Sequence, residues 1–149
     1  MTLIYESLNF TISAPNPPHV DRLDGGHIRI DPKTTVEDRT KLSPELAKEL
    51  MMLTMVVGEA MATVLSRRGI DIGRINYQDN GNWRPEFHIH LYGRAKSAKR
   101  QPYGEALAFP PRATANDAFA DLQALNIEDI AEIRGEIERL LATEPYKNF

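Results

Sequence analysis

The most regular alternation of apolar and polar residues in the chain runs from Glu86 to Tyr92. Successive side chains of a β-strand point to opposite faces. We therefore predict a strand over Arg84 to Tyr92 with one face in the core, formed by Phe87, Ile89 and Leu91. The other face would carry polar and ionisable groups, namely Glu86, His88, His90 and Tyr92.

Shorter alternating stretches predict three more strands, over residues 7–13, 27–31 and 70–77. Prolines follow the first of these, and Pro32 follows the second, so we expect both strands to end there. The Asn80-Gly81 pair lies between the third stretch and the histidine-containing strand. Asn-Gly is a strong hairpin signal. The pattern thus predicts a mostly antiparallel sheet.

A long amphipathic helix is predicted from Ser43 to about Arg68. Ser43 is a favourable N-cap, Pro44 suits the first helical position, and Gly69 suits the residue after the end. Apolar residues recur at helical spacing, namely Leu46, Leu50, Leu53, Val57, Met61, Val64 and Leu65. We interpret a methionine-rich part of this helix as core filler, formed by Met51, Met52 and Met55.

Two shorter helices are predicted near the C-terminus. The first contains Phe119, Leu122 and Leu125, and the second begins at the capping residue Asn126. The second has an apolar stripe, formed by Ile127, Ile130, Ile133, Ile137 and Leu140. A sheet with a packed long helix predicts an α+β fold. We expect residues 1–112 to form the main domain and residues 113–149 a helical extension packed on it.

Composition narrows the functional classes. The 149 residues carry a net charge of −3 and no cysteine. Disulfides, thiolate zinc sites and cysteine nucleophiles are therefore excluded, and the charge gives no general attraction to nucleic acid or acidic membranes. We see neither a signal peptide nor a stretch long enough to span a bilayer, and we expect a cytoplasmic protein.

The paired histidines His88 and His90 are the strongest candidates for chemistry. Two imidazoles on one strand face can touch the same ligand, and a neutral imidazole can act as a nucleophile or a general base. A polar strand whose histidines only form local hydrogen bonds is the plainer interpretation. A third is a metal site in which Glu86, His88 and His90 are joined by His27.

Two neighbouring segments are candidates for binding phosphate. The turn containing Gly81 and Asn82 could present backbone N–H groups to phosphate oxygens, although a plain hairpin turn is the better explanation of this segment taken alone. The basic run from Arg94 to Arg100 could hold phosphates or form a solvated loop. Trp83, the single tryptophan, could stack on a base or fill a gap beneath the sheet.

The order of these features resembles the histidine triad (HIT) family of nucleotide-binding proteins, hydrolases and transferases. A Gly-His segment ending in Pro-Lys spans residues 26–33 and precedes the long helix. An Asn-bearing strand, a Gly-containing turn and a His-rich strand ending in Gly93-Arg94 follow. The likeness covers roughly Ser7 to Arg94.

The resemblance implies a role for each matching residue. His88 is similar to the family's central histidine, which attacks the α-phosphate of a nucleotide without a metal or other cofactor. His90 is similar to the third triad histidine, and His27 to the histidine that lines the same pocket. Phosphate contacts are implied for Asn76 and for the turn with Gly81 and Asn82.

Two departures from the family pattern stand out. The first triad position holds Glu86 instead of histidine, and a carboxylate near phosphate repels it unless the carboxylate is paired or protonated. Glu86 could instead contact His27 or the backbone and hold the shape of the pocket. Trp83 stands where the family often has a hydroxyl or small residue.

The resulting hypothesis is a histidine triad nucleotidyl hydrolase or transferase. Its substrate would be a nucleoside phosphoramidate or a dinucleoside polyphosphate. The alternatives are a metal-dependent enzyme that uses the Glu86, His88, His90 and His27 set, and a catalytically silent nucleotide sensor. The resemblance also implies a homodimer, and no membrane or specific nucleic-acid partner is expected.

Overall fold

The computed structural model describes residues 1–148, which form one sheet with helices packed against it. The strands are β1 (Thr2–Glu6), β2 (Phe10–Ala14), β3 (His27–Pro32), β4 (Ile72–Gln78) and β5 (Ile89–Ala95). The helices are α1 (Pro44–Arg67), α2 (Arg112–Phe119) and α3 (Ile127–Leu141). The strand order is β1-β2-β3-β5-β4, and all neighbours are antiparallel. The predicted α+β class is confirmed.

The first strand region differs from its prediction. The stretch 7–13 contains a turn that joins β1 to β2, and the side chain of Leu8 is exposed there. Glu49 of α1 holds this turn, because its carboxylate accepts hydrogen bonds from Ser7 Oγ at 2.7 Å and from the Asn9 side chain at 2.7 Å. The pattern therefore missed β1 and placed the start of β2 too early.

The connection from β4 to β5 is a loop over residues 79–88 and not the predicted tight hairpin. Gly81 does adopt a positive φ of 65°, as the turn signal requires. However, the Phe87 N–H donates to Val36 O at 2.7 Å, outside the sheet. Pro85 has no N–H to donate. The predicted strand from Arg84 is wrong, and β5 begins at Ile89.

Helix α1 packs across one face of the sheet. Its N-terminus follows the prediction, since Ser43 Oγ accepts from the Leu46 N–H at 3.2 Å and Pro44 is the first helical residue. Met52 is buried, but Met51 is 63% exposed and Met55 is 51% exposed. Treating all three methionines as core was therefore wrong.

The length and composition of α1 alone would allow it to cross a membrane, which the sequence pattern did not suggest. Ten of its residues are nevertheless buried within the fold. This burial is what a core helix requires. The apolar character of α1 is thus explained by its packing against the sheet and α3.

Helix α3 packs on α1 and on β1. Its side chains join the main core, namely Ile130, Ile133, Ile137 and Leu140. Ile127 is 80% exposed and does not belong to the stripe as predicted. The first C-terminal helix ends at Phe119, so Leu122 and Leu125 follow it instead of lying in it. The domain boundary after residue 112 stays a prediction.

Candidate functional site

A pocket of about 500 Å³ opens on the sheet face opposite α1. Its lining comes from β3, β5, Gln78 at the end of β4, and the loops next to these strands. The strands contribute His27, Arg29, His90 and Tyr92. The loops contribute His19, Asn80, Gly81, Asn82, Trp83, Arg84, His88 and Phe109.

The sheet register brings the strand residues together. His27 of β3 pairs with Tyr92 of β5, and Arg29 pairs with His90. Paired residues in a sheet point to the same face. Two rows of polar and aromatic side chains therefore stand side by side on the pocket face.

Two glycines allow the loop before β3 to lie directly against β5. A Cβ on Gly93 would stand 2.0 Å from Gly25 O, and a Cβ on Gly25 would stand 2.1 Å from Gly93 O. Gly25 also has a φ of 135°, which other residues rarely adopt. This close backbone approach sets the loop that carries His19 over the histidines of the sheet.

The four histidines form a hydrogen-bonded chain. The His19 backbone N–H donates to His27 Nδ1 at 3.1 Å. His27 Nε2 and His90 Nδ1 are 2.8 Å apart, and His90 Nε2 and His88 Nε2 are 2.9 Å apart. His88 Nδ1 lies 2.7 Å from Glu86 O.

Each end of this hydrogen-bond chain is a backbone group whose role as donor or acceptor is fixed. A backbone N–H can only donate, so His27 Nδ1 accepts and Nε2 of the same ring carries the hydrogen. His27 therefore donates to His90 Nδ1, and His90 Nε2–H donates to His88 Nε2. At the other end a carbonyl can only accept, so His88 Nδ1–H donates to Glu86 O. The two ends assign the same tautomers, and the His88 Nε2 lone pair accepts from His90 beside the pocket.

Burial keeps these imidazoles neutral. It lowers the pKa of His19 to about 4 and that of His90 to about 2, with neighbouring cations adding to the effect. The pKa of His27 is also well below its usual value, and that of His88 is lowered, in both cases chiefly by burial. A neutral His88 keeps on Nε2 the lone pair that a nucleophile needs.

The loop residue His19 joins the site through its side chain as well. Its Nδ1 is 2.8 Å from the Tyr92 hydroxyl, and its ring stacks on Phe119 of α2 at a centroid distance of 4.6 Å. Trp83 and Phe109 stand at 5.5 and 5.7 Å from the same ring. The pocket thus has an aromatic end, to which the C-terminal part of the chain contributes.

The predicted metal ligands are only partly brought together. Among residues 1–148, His19, His27 and His90 each place one ring nitrogen within 4.8 Å of the others. Glu86 and His88 do not belong to this group. His27 Nε2 also carries a hydrogen, because Nδ1 accepts from a backbone N–H, and a ligand nitrogen needs a free lone pair. The hydrogen-bond pattern therefore favours a chain of hydrogen-bonded imidazoles over a metal site.

The expected position of Glu86 is wrong. Its side chain is exposed, does not line the pocket and comes no closer than 3.7 Å to Arg84 Nε. The alternation that placed it beside His88 fails because the regular strand begins only at Ile89. Its backbone carbonyl, in contrast, holds the ring of His88.

Asn76 and Arg94 also lie away from the pocket. Arg94 is buried and donates to Asn76 Oδ1 at 2.8 Å, to Pro102 O at 3.0 Å and to Glu105 O at 2.7 Å. These bonds fasten the segment after β5 to the sheet. Neither residue lines the pocket, so the structure does not support their expected contacts with phosphate.

The rest of the basic run is also fastened in place by its backbone. The N–H groups of Lys99, Arg100 and Gln101 all donate to the buried carboxylate of Asp24 at 2.8 to 2.9 Å. In contrast, the turn residues Gly81 and Asn82 do line the pocket, as predicted.

Sequence reasoning missed three residues of the site. His19 lies outside any predicted strand, and its only signal was that histidine is rare in this chain. Arg29 lies in the predicted strand over residues 27–31 but was given no role, and Arg84 was treated only as the start of a strand. All three line the pocket.

One family model and several solved structures match this chain. Residues 3–97 match the model of the HIT domain family. A histidine triad protein from Bradyrhizobium japonicum is similar at 16% identity and a TM-score of 0.60, over 91% of this chain and 89% of that one.

Two further solved structures share the fold. A hypothetical histidine triad nucleotide-binding protein from Sulfolobus tokodaii is similar at 16% identity and a TM-score of 0.58, over 93% and 85% of the two chains. A zinc-bound histidine triad family protein from Mycobacterium smegmatis is similar at 19% identity and a TM-score of 0.57, over 93% and 84%. No curated protein is significantly similar to this sequence.

Proposed function

Since the chain belongs to the histidine triad (HIT) family of nucleotide-binding proteins, we propose that it is a nucleotidyl hydrolase or transferase with His88 as the nucleophile. The observation that carries the proposal is the hydrogen-bond chain, which places the hydrogen of His88 on Nδ1 and leaves Nε2 as an acceptor. The substrate is a nucleoside phosphoramidate or a dinucleoside polyphosphate.

In the first step the Nε2 lone pair of His88 forms a bond to the α-phosphorus. The bond between phosphorus and the leaving group breaks, and its electron pair departs with the leaving atom. The His88 ring becomes cationic, and Glu86 O stabilises it by accepting the Nδ1–H. In the second step water attacks the phosphorus, the N–P bond breaks, and the nucleoside monophosphate is released with one proton passed to solvent.

The other histidines prepare and assist this attack. His90 Nε2–H donates to the His88 lone pair in the resting site, so a substrate must displace this hydrogen bond. The same N–H is then available to a phosphate oxygen, where charge develops in the transition state. His27 holds His90 in the required tautomer. Backbone N–H groups near Gly81 and Asn82 are further candidate donors to phosphate.

The test is release of AMP from adenosine phosphoramidate and from diadenosine tetraphosphate, with a chelator present throughout. We expect turnover by the wild type and a loss of at least about a thousandfold in His88→Ala. Nucleotide binding by the variant should persist. Equal turnover by the two proteins would refute the assignment of His88. Binding without turnover by the wild type would indicate a nucleotide sensor, and activity only after adding a divalent metal would indicate the metal enzyme.

We further propose that the protein is a cytoplasmic homodimer that requires no cofactor. A surface formed by α1 and β4 supports the dimer, because Met51, Met55 and Tyr77 expose large apolar side chains there. Tyr77 lies over Gly58 of α1, whose missing side chain leaves it room. An apolar surface of this kind is typical of an interface between protein chains.

A further inference from the structure

Two arginines and one aspartate line or border the pocket beside His88. Arg29 and Arg84 both line it. Arg29 Nε donates to Asp31 Oδ2 at 2.7 Å, and an Arg84 amino group donates to Asp31 Oδ1 at 2.5 Å. One carboxylate is therefore shared between two guanidinium groups.

Each of the two arginines has an N–H group without a strong hydrogen-bond acceptor. Arg84 Nε is shielded from solvent and has no hydrogen-bond partner among the described residues. Glu86 Oε2 lies 3.7 Å from it, beyond hydrogen-bond range. A second amino group of Arg29 reaches only Met1 Sδ, which is a weak acceptor.

The position of these groups gives the pocket two different ends. The residues of β3 on the pocket face are His27, Arg29 and Asp31. Because His27 pairs with Tyr92, the charged Arg29 and Asp31 lie farther along the strand from Tyr92 than His27 does. The opposite end is neutral and aromatic, formed by His19, Tyr92, Trp83 and Phe109. An uncharged base suits the aromatic end, whereas guanidinium groups bind phosphate oxygens.

We propose that Arg29 and Arg84, oriented by Asp31, bind negative charge on the leaving group. The preferred substrate is then a nucleotide whose leaving group is itself phosphorylated. A nucleotide that releases a neutral amine would be a poorer substrate. When the P–O bond breaks, its electron pair stays on the leaving oxygen, and the guanidinium groups offset the added charge. This inference rests on the proposed function and makes these arginines specificity residues.

The experiment compares diadenosine tetraphosphate with adenosine phosphoramidate, which share the AMP portion and differ in the charge of the leaving group. In Arg29→Gln and Arg84→Gln we expect kcat/KM for the tetraphosphate to fall by about tenfold or more, as loss of a charge-assisted hydrogen bond implies. The value for the phosphoramidate should change by much less. Arg139→Gln, which removes an exposed arginine of α3, is the matched control and should change neither.

Equal losses on both substrates, or no loss on either, would overturn the proposal. Arg84→Lys separates charge from shape, since lysine keeps the charge but not the planar fork. It should keep part of the preference for the tetraphosphate. Unfolding temperatures of all variants identify any loss that comes from misfolding.

A binding experiment keeps this inference separate from the proposed function. In the His88→Ala background, calorimetry should show that Arg84→Gln weakens binding of diadenosine tetraphosphate by about tenfold and that of AMP by much less. If the wild type hydrolyses neither substrate, the proposed function fails, and this difference in affinity still decides the role of the arginines. Equal weakening for both ligands would refute it.

Discussion

At the residue scale, the main chain determines which nitrogen of each site histidine carries hydrogen. The His19 N–H and Glu86 O are backbone groups at opposite ends of the chain of imidazoles, and neither can reverse its role. The tautomer of His88 is therefore independent of the side chain at position 86. A glutamate side chain at position 86 is therefore compatible with this arrangement of the histidines.

Glu86→Gln tests this explanation. We expect kcat/KM of this variant to stay within about twofold of the wild type, because substitution of an exposed side chain away from the chemistry usually changes free energies by at most about 0.5 kcal/mol. Steady-state AMP release measures it, and His88→Ala is the inactive reference. A loss of a hundredfold or more would mean that the carboxylate itself takes part.

The histidines of the site were partly predictable from the sequence. Apolar–polar alternation placed His88 and His90 on one face, and the resemblance to the HIT family added His27 to them. His19 stands in a loop whose path depends on the Gly25 and Gly93 contact, which is a long-range feature. No local pattern could reveal it.

At the scale of elements, one buried carboxylate attaches α3 to the rest of the fold. Asp129 is fully buried and accepts from Arg22 Nε at 2.6 Å and from Arg68 Nε at 2.8 Å. It also caps its own helix, because its side chain accepts from the Asn126 N–H at 2.9 Å. Burial alone would raise the pKa of Asp129, but the hydrogen bonds from Arg22, Asn126 and Arg68 outweigh it, and the pKa is lowered.

Asp129→Asn should therefore destabilise the protein by about 2 to 3 kcal/mol, below the usual cost of breaking a fully buried pair because both arginines are partly exposed. The amide keeps the size of the side chain and one acceptor for the helix cap, so the loss reports chiefly on charge. Urea unfolding measures the change. Glu128→Gln, in the same turn but exposed, is the control. A difference below about 0.5 kcal/mol between the two variants would contradict this account.

The elements themselves were predictable to different degrees. Helix α1 was found because a cap, an early proline and helical spacing agree over many residues. The path from β4 to β5 was not, since the N–H of Phe87 bonds to Val36, a residue about fifty positions earlier. A sequence pattern cannot anticipate such a partner, and the strand start moved by five residues as a result.

At the scale of the whole molecule, the cluster of neutral histidines makes stability depend on pH. In the unfolded chain a histidine takes up a proton near pH 6.5, whereas burial lowers the pKa of folded His19 to about 4 and of His90 to about 2. Below pH 6.5 the unfolded state thus binds more protons than the folded state. Its free energy falls relative to the folded state, so stability decreases as the pH falls.

We expect the unfolding temperature to drop steadily from pH 6.5 to pH 4. The variant His19→Phe keeps a ring against Phe119 and removes one titrating group. Its unfolding temperature should depend less steeply on pH over the same range. Calorimetry at several pH values compares the two proteins. Identical slopes would show that His19 does not contribute to the acid sensitivity.

The surface of α1 and β4 determines whether two copies associate. Met51 and Met55 are one helical turn apart and exposed, and Tyr77 of the edge strand β4 exposes 49% of its surface beside them.

We expect a dimeric mass by light scattering for the wild type and a monomeric mass for Met55→Lys, because a charge there would be buried without a partner. Leu8→Lys changes an equally apolar, exposed residue in the β1–β2 turn and should remain dimeric. A monomeric wild type, or a Met55→Lys variant that still dimerises, would exclude this surface as the interface.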